Sequence, residues 1–321
     1  CRSSIGEEHH ESSGRTWLKS PCLGLCDRAP AVLIQKAGLD RADETVAPAS
    51  PEGVMAAVAD TPASPSPSPV VGPPEGRRLL ARVGDGDPTS LDDYRARGGY
   101  AALRRALDLG PALTIREIKD AKLVGRGGAA FPTGVKWEAV AQAPMRPHYV
   151  VCNADESEPG TFKDRAVMEG DPFALVEAMT IAGFAMAAEK GYIYLRGEYP
   201  TARARLEHAI ETANRRGFLG DDIMGTGVRF DLELRIGAGA YICGEETALF
   251  NSLEGRRGEP RSKPPFPVTH GLFGKPTGIN NVETLVNVNL ILNGGAAAYA
   301  ALGTPGSTGT RLFCLSGRVK R

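Results

Sequence analysis

The sequence lacks an excess of either charge: 38 lysines and arginines stand against 38 aspartates and glutamates. With no basic excess or stripe, nucleic-acid binding is disfavoured. It also lacks a long apolar run. The longest nearly uncharged one, Ala178 to Ala188, is too short to span a bilayer and reads as a buried helix, so no direct membrane insertion is expected. The N-terminus is polar and charged, which argues against a signal peptide. Cysteine is sparse: Cys1, Cys22, Cys26, Cys152, Cys243 and Cys314 are too scattered for a secreted disulfide framework. Reduced thiols or metal ligands in a cytoplasmic protein fit better.

What is there divides along the chain. Its 321 residues, 42% of them hydrophobic, suffice for one large domain or two modest ones. Residues 1–40 form a small segment ending in a strand-like run, Ala31 to Ile34. Eight of the 24 prolines then fall between Pro48 and Pro74. That composition reads as a semi-extended linker over residues 41–90, leaving the first segment tethered and not integrated. From Leu91 the pattern is globular. Leu91–Leu109 and Thr114–Leu123 have helical spacing, with Thr114 as a cap and Glu117 three residues on. Strands are expected at Tyr149–Cys152, Tyr192–Leu195 and Val228–Ile236, and helices at Pro172–Lys190, Tyr199–Arg216, Glu245–Leu253 and Val282–Leu292. Such alternation predicts an α/β fold, a Rossmann-like core around a largely parallel sheet, over residues 91–305. Residues 306–321 read as the start of a further unit, with a strand at Arg311–Ser316. The chain begins at Cys1, not methionine, and reads as cut at both ends.

Four blocks carry the chemistry. GRGGAAFPTGVKW, from Gly125, holds four glycines in its first ten residues, with Arg126 and Lys136 to supply positive charge. Glycine lets a backbone approach an anion closely, but such a loop reads equally as a tight turn. It is neither a Walker loop nor a GxGxxG after a strand, so ATP hydrolysis is disfavoured. NADESEPGTFKDR, Asn153 to Arg165, packs Asp155, Glu156, Glu158 and Asp164 behind a strand. It is either a solvated loop or a ligand-binding edge at a strand's carboxyl end, and its spacing matches no standard metal motif. GAGAYICGEETALFNSLEG, Gly237 to Gly255, opens a helix with Glu245 and Glu246 at its positive end. Cys243 reads as a small buried residue. In Arg261 to Leu285, Asn280 and Asn281 read first as caps of the helix that follows, and His270 as structural.

Together and in this order, the four blocks resemble the NADH-oxidising flavoprotein subunit of respiratory complex I and its soluble relatives, the diaphorase subunits of NAD-dependent formate dehydrogenases and hydrogenases. The resemblance runs from about Leu109 to the C-terminus. It implies that Gly125, Arg126, Gly127 and Lys136 lie along flavin mononucleotide (FMN) and its phosphate. It puts Asn153, Asp155 and Glu156 in hydrogen bonds to the flavin, and Tyr241, Gly244 and Glu245 on its other side. Asn280, Asn281 and Thr284 would complete the phosphate and ribityl contacts at a helix N-terminus. For NADH it implies Phe131 and Phe266 stacked on the adenine, with Glu158, Glu246 and Lys263 nearby and Glu158 in the catalytic position. Where many relatives carry an aromatic residue just after KWx, Ala139 stands here. The implied chemistry is hydride transfer between NAD(H) and FMN, set mainly by positioning. The implied partners are iron–sulfur electron-transfer subunits of a larger complex.

Two departures bear on electron exit. PCLGLCDRAPAVLI resembles the end of a thioredoxin-like 2Fe–2S subunit, with Cys22 and Cys26 as metal ligands. That family needs two further thiolates upstream, and only Cys1 stands there, so an incomplete cluster is expected. The family's 4Fe–4S domain, with its CxxCxxC motif, is expected to be absent. A nucleotide-binding fragment without turnover is therefore the alternative to a working NADH dehydrogenase.

Overall fold

A computed structural model describes residues 9–10, 14–37, 42–59 and 72–317. Cys1, the centre of the proline-rich stretch at 60–71, and the last four residues lie outside these.

The N-terminal part is more ordered than its composition suggests. A short pair, β1 (His9–His10) and β2 (Thr16–Trp17), precedes β3 (Val32–Lys36), which pairs antiparallel with β4 (Ala42–Val46). Helix α1 (Pro51–Val58) follows inside the stretch expected to be linker. The cause is local: Ser50 accepts the Gly53 N–H at 3.1 Å as N-cap, and Pro51 occupies the first turn, where a missing N–H does no harm. Val46, Val54 and Ala57 then bury one another. Nor is this part merely tethered. Buried Arg165 donates to the Gly24 carbonyl at 3.0 Å and pairs with Asp27 at 2.6 Å and Glu169 at 3.0 Å.

The expected Leu91–Leu109 helix is two, α2 (Leu91–Ala96) and α3 (Ala101–Leu109). Gly98, at φ +86°, breaks the pattern in a conformation open to glycine. Helix α4 (Pro111–Asp120) starts before Thr114, because Pro111 suits the first helical position; Thr114 instead donates to the Gly110 carbonyl at 2.9 Å. Helix α5 (Thr133–Ala141), not anticipated, opens directly from the glycine-rich loop.

The α/β pattern holds. Strands β5 (Tyr149–Ala154), β6 (Lys190–Leu195), β7 (Asp231–Ile236) and β8 (Thr277–Asn281) form one fully parallel sheet in the order β7-β6-β5-β8. Strand alternation sorts the two faces. Val150, Cys152, Ala154, Ile193 and Leu195 enter the main core with α6 (Lys163–Gly170), α7 (Pro172–Ala185), α8 (Pro200–Arg215) and α11 (Val282–Gly294). Val151, Tyr192, Tyr194 and Ile279 pack in a smaller core with Leu249 and Phe250 of α9 (Glu246–Leu253). Helices α10 (Pro267–His270) and α12 (Ala296–Ala300) and the pair β9 (Gly303–Thr304) and β10 (Ser307–Thr308) complete it.

Arg311–Ser316 is not a strand. Its polar groups go to side chains and loops: the Leu312 N–H donates to Glu283 at 2.9 Å, and the Cys314 sulfur accepts the Phe162 N–H at 3.2 Å. Among the described residues no helix is long and apolar enough to cross a membrane.

Candidate functional site

The strand order locates the site. The chain runs outward from β5 through β6 to β7, then returns to the other side of β5 as β8. The carboxyl ends of β5 and β8 therefore diverge at a switch point, where open α/β sheets leave a crevice. Asn153 and Asn281 are the last register partners of these two strands.

A cleft in two lobes, of about 480 and 290 Å³, opens there, and the lobes meet at Gly127, Asn153, Gly244, Glu245 and Asn281. One lobe is lined by Asp155, Glu156, Glu158 and Tyr241; the other by Gly125, Phe131, Lys136, Glu246, Lys263, Asn280 and Thr284. Four sequence blocks converge on one place. Phe266 does not line either lobe; it stands 57% exposed, following two cis prolyl bonds. Ala139 is exposed on α5.

The loop at Gly125 is held as a tight hairpin: the Gly125 N–H donates to the Phe131 carbonyl and the Thr133 N–H to that of Leu123, both at 2.9 Å. The Arg126 N–H donates to Thr284 Oγ1 at 2.8 Å, which locks the loop onto the first turn of α11. A Cβ on Gly127 would lie 3.1 Å from that of Asn281, so glycine permits this approach. Asn281, not Asn280, caps α11, accepting the Glu283 N–H at 3.0 Å while donating to Asp164 at 2.7 Å. Asn280 is the last but one residue of β8, and its side-chain carbonyl oxygen accepts the buried Trp137 indole N–H at 2.9 Å. The positive end of α11 thus faces the cleft.

Electrostatics refine the expected roles. Arg126 lines the first lobe, and its guanidinium is buried, donating to the Thr308 carbonyl at 2.8 Å and Tyr299 at 3.3 Å. Lys136 lines the second lobe. Its ammonium donates to the Ile279 carbonyl at 2.8 Å and has no carboxylate within ion-pair distance among the described residues. Burial pulls its pKa below the ordinary lysine range. Glu156 is committed to structure: it accepts the Asp164 and Arg165 N–H groups at the start of α6, at 2.9 and 3.0 Å, and the Tyr199 hydroxyl at 3.1 Å. Its carboxyl, pushed up to about 7 by burial and by Asp164, is occupied by protein donors and not turned to a ligand.

Glu245 caps α9 through Thr247 and Ala248, and Lys263 ties it to Glu246 at 3.0 and 2.6 Å. Burial works against the Glu245 carboxylate, but the Thr247, Ala248 and Lys263 bonds hold its pKa below the usual range. Asn153 spans the lobes, donating to the Gly244 carbonyl at 2.8 Å. At the mouth, Tyr241 donates to Glu158 at 2.6 Å. Lys163 is a site residue that the sequence pattern did not single out. It lines the first lobe, pairing with Asp164 at 2.8 Å and Glu283 at 3.1 Å. Its signal lay in the FKDR end of a block whose carboxylates dominate.

Asp155 carries a testable charge. One carboxylate oxygen is buried without a hydrogen-bond partner, and burial raises the group from 3.8 to about 6 despite Ser157 and Arg196. For an acid whose folded pKa is raised, the stabilising contribution is complete below the unfolded pKa and is lost as pH rises through the folded one. Asp155→Asn is therefore expected to melt above the parent at about pH 8 and to lose that advantage by about pH 4. Thermal melts of ligand-free protein across this range test it; a variant destabilised equally at both ends contradicts the assignment.

Cys22 and Cys26 lie apart from the cleft. They line a cavity of about 350 Å³ bounded by Pro159, and neither is in a disulfide. Among the described residues no group of three or more His, Cys, Asp or Glu side chains is placed to hold a metal ion.

Known proteins match this chain along most of its length. The Nuo51 FMN-binding domain family matches residues 118–290. An NADH-quinone oxidoreductase subunit of Rhizobium meliloti (strain 1021) is 50% identical over 244 residues, covering 76% of this chain and 58% of that protein. NADP-reducing hydrogenase subunit HndC of Solidesulfovibrio fructosivorans is 50% identical over 234 residues, 73% of this chain and 48% of that one. A solved NAD+-reducing [NiFe]-hydrogenase in the air-oxidised state aligns at TM-score 0.76 and 34% identity, over 99% of this chain and 52% of that chain. The chain spans about half the length of these relatives.

Proposed function

The chain belongs to the Nuo51 FMN-binding domain family, and on that premise we propose that it is the NADH-oxidising flavoprotein module of a larger oxidoreductase, holding FMN and NAD(H) together in the cleft. The observation that carries this is Lys136: a half-buried cation without a carboxylate partner among the described residues, beside a glycine hairpin and the positive end of α11. A phosphate supplies the missing counter-charge. The residues fit the group in other respects. Gly127 keeps the backbone low, and the unpartnered Asp155 oxygen and the Asn153 and Asn280 amides offer polar contacts along the cleft.

Bound there, the flavin would supply the acceptor for a hydride from the nicotinamide. The protein's work is binding and orientation. Gly125, Gly127, Lys136 and Thr284 hold the phosphate end, and Asn153, Asp155, Gly244 and Glu245 line the middle. Glu158 and Tyr241, bonded to each other at the mouth, bound the NADH position, with Phe131, Glu246 and Lys263 on the other lobe. Phe266 serves NADH only from the rim. No residue is needed as a general base for hydride transfer.

Residues 91–305 form the nucleotide-binding domain in this reading, with residues 306–321 opening a further unit. Cys22 and Cys26 supply two thiolates of an iron–sulfur centre whose other ligands come from elsewhere, and electrons pass to or from iron–sulfur partner subunits in the cytoplasm.

Purified protein is expected to bind FMN and to reduce ferricyanide with NADH. Phe131→Ala and Glu158→Gln are expected to raise the KM for NADH by about 5- to 10-fold, an adenine-stacking or hydrogen-bond loss of about 1 kcal/mol, with FMN affinity nearly unchanged. No FMN binding at all would refute the proposal; variants that lose flavin before NADH would reject the placing of NADH against Phe131 and Glu158.

A further inference from the structure

On the far side of α2 and α3 lies a second open pocket, of about 540 Å³, which the flavin reading does not use. Three arginines line it, Arg95, Arg104 and Arg216, and no carboxylate does. They come from three helical positions: Arg95 on α2, Arg104 on α3, and Arg216 at the C-cap of α8.

Two of them converge on one point. Arg95 Nη1 and Arg216 Nη2 lie 3.8 and 2.9 Å from the same oxygen of Asp92, so both guanidinium groups face one anion position. Arg216 grips that carboxylate with two guanidinium nitrogens, at 2.9 and 3.4 Å, but the Asp92 side chain is 71% exposed and its pair with Arg95 is long. Arg104 has no ion-pair partner among the described residues. The arginines are also braced. The Arg95 guanidinium lies 5.5 Å over the Phe218 ring, and Phe218 stacks on Tyr100 at 3.9 Å between centroids. Both aromatic rings line the pocket wall. With Phe218 covered by Arg95 and by Tyr100, the wall offers little open ring surface for a base.

We propose that this pocket is an anion site for an oligophosphate, taking a pyrophosphate-type group between Arg95, Arg104 and Arg216, with Asp92 as the internal anion it displaces. Planar guanidinium forks match phosphate oxygens in pairs, and three of them outweigh one exposed carboxylate. The site lies outside the flavin cleft and does not depend on it.

The test is calorimetric titration with pyrophosphate on full-length protein saturated with FMN, alongside Arg95→Gln/Arg104→Gln and Asp92→Asn. Saturable binding is expected, weakened at least about fivefold in the double arginine variant, as exposed ion pairs of ordinary strength imply. Asp92→Asn is expected to tighten it, and added KCl to weaken it. Absence of saturable binding, or binding unchanged by the arginine variants, would overturn the proposal. So would binding that FMN abolishes, since that places the phosphate in the first cleft. If FMN itself does not bind, the flavin reading fails, and the arginine variants still decide this one.

Discussion

Replacing Gly127 with valine is expected to weaken flavin binding severely while leaving the fold in place. Even a Cβ there would lie 3.1 Å from the Asn281 Cβ, and valine adds two further methyl groups. Asn281 has little room to yield. It caps α11 through Glu283 and is bonded to Asp164, so any shift breaks a cap and a buried hydrogen bond together. Overpacking of this kind costs about 1–3 kcal/mol, and a lost cap about 1 kcal/mol. Taken from the phosphate end of the site, that is a loss of FMN affinity of about 30- to 1000-fold. The Gly127 strip lies on the surface of the domain core, so the far-ultraviolet spectrum is expected to match the parent. Flavin fluorescence titration beside a thermal melt tests this. A variant that keeps parental affinity would show that the hairpin does not approach the phosphate.

Removing the Glu177 carboxylate is expected to have the largest effect on stability. Glu177, on α7, is fully enclosed and accepts three hydrogen bonds: the Tyr94 hydroxyl, and the Tyr100 and Leu103 N–H groups at 2.9 Å. The two amides belong to the first turn of α3, so this one side chain from α7 caps a neighbouring helix. Alanine would strand all three donors, at about 1–3 kcal/mol each when no water reaches them. A loss of about 3–5 kcal/mol is expected in urea denaturation, a large share of a typical domain's stability. Function would follow, because α3 and α7 both pack on α11, whose N-terminus faces the cleft. Glu177→Gln keeps the shape and an acceptor, and is expected to fall between. A change below about 1 kcal/mol in the alanine variant would show that water or a shifted side chain takes over the three donors.

Much of this was legible in residue types and their order. Glycine density and a lysine made the loop at Gly125 a candidate anion cradle by chemical type, and alternating strands and helices imply a parallel sheet. The four blocks do meet in one cleft. Local signals misled where composition stood in for pattern: the proline-rich stretch hid the Ser50–Pro51 helix start, and Gly98 was absorbed into a helical run it breaks.

The linear sequence alone determined the parallel α/β architecture, which follows from residue types and short-range periodicity, and the order of its four blocks carried the resemblance that named the family and most of the residues around the cleft. Only the tertiary structure decided which polar groups face it. Arg126 and Lys136 looked alike as cations, but a bond to the Thr308 carbonyl, 182 residues away, holds a buried Arg126 guanidinium, while the Ile279 carbonyl holds the half-buried Lys136 ammonium at the second lobe. Glu156 looked like a ligand group and is spent on the start of α6. Asn280 and Asn281 are adjacent, yet a strand's alternation sends one to Trp137 and leaves the other to cap a helix. Side-chain direction depends on partners brought together by long-range packing, and those partners have no fixed spacing in the chain.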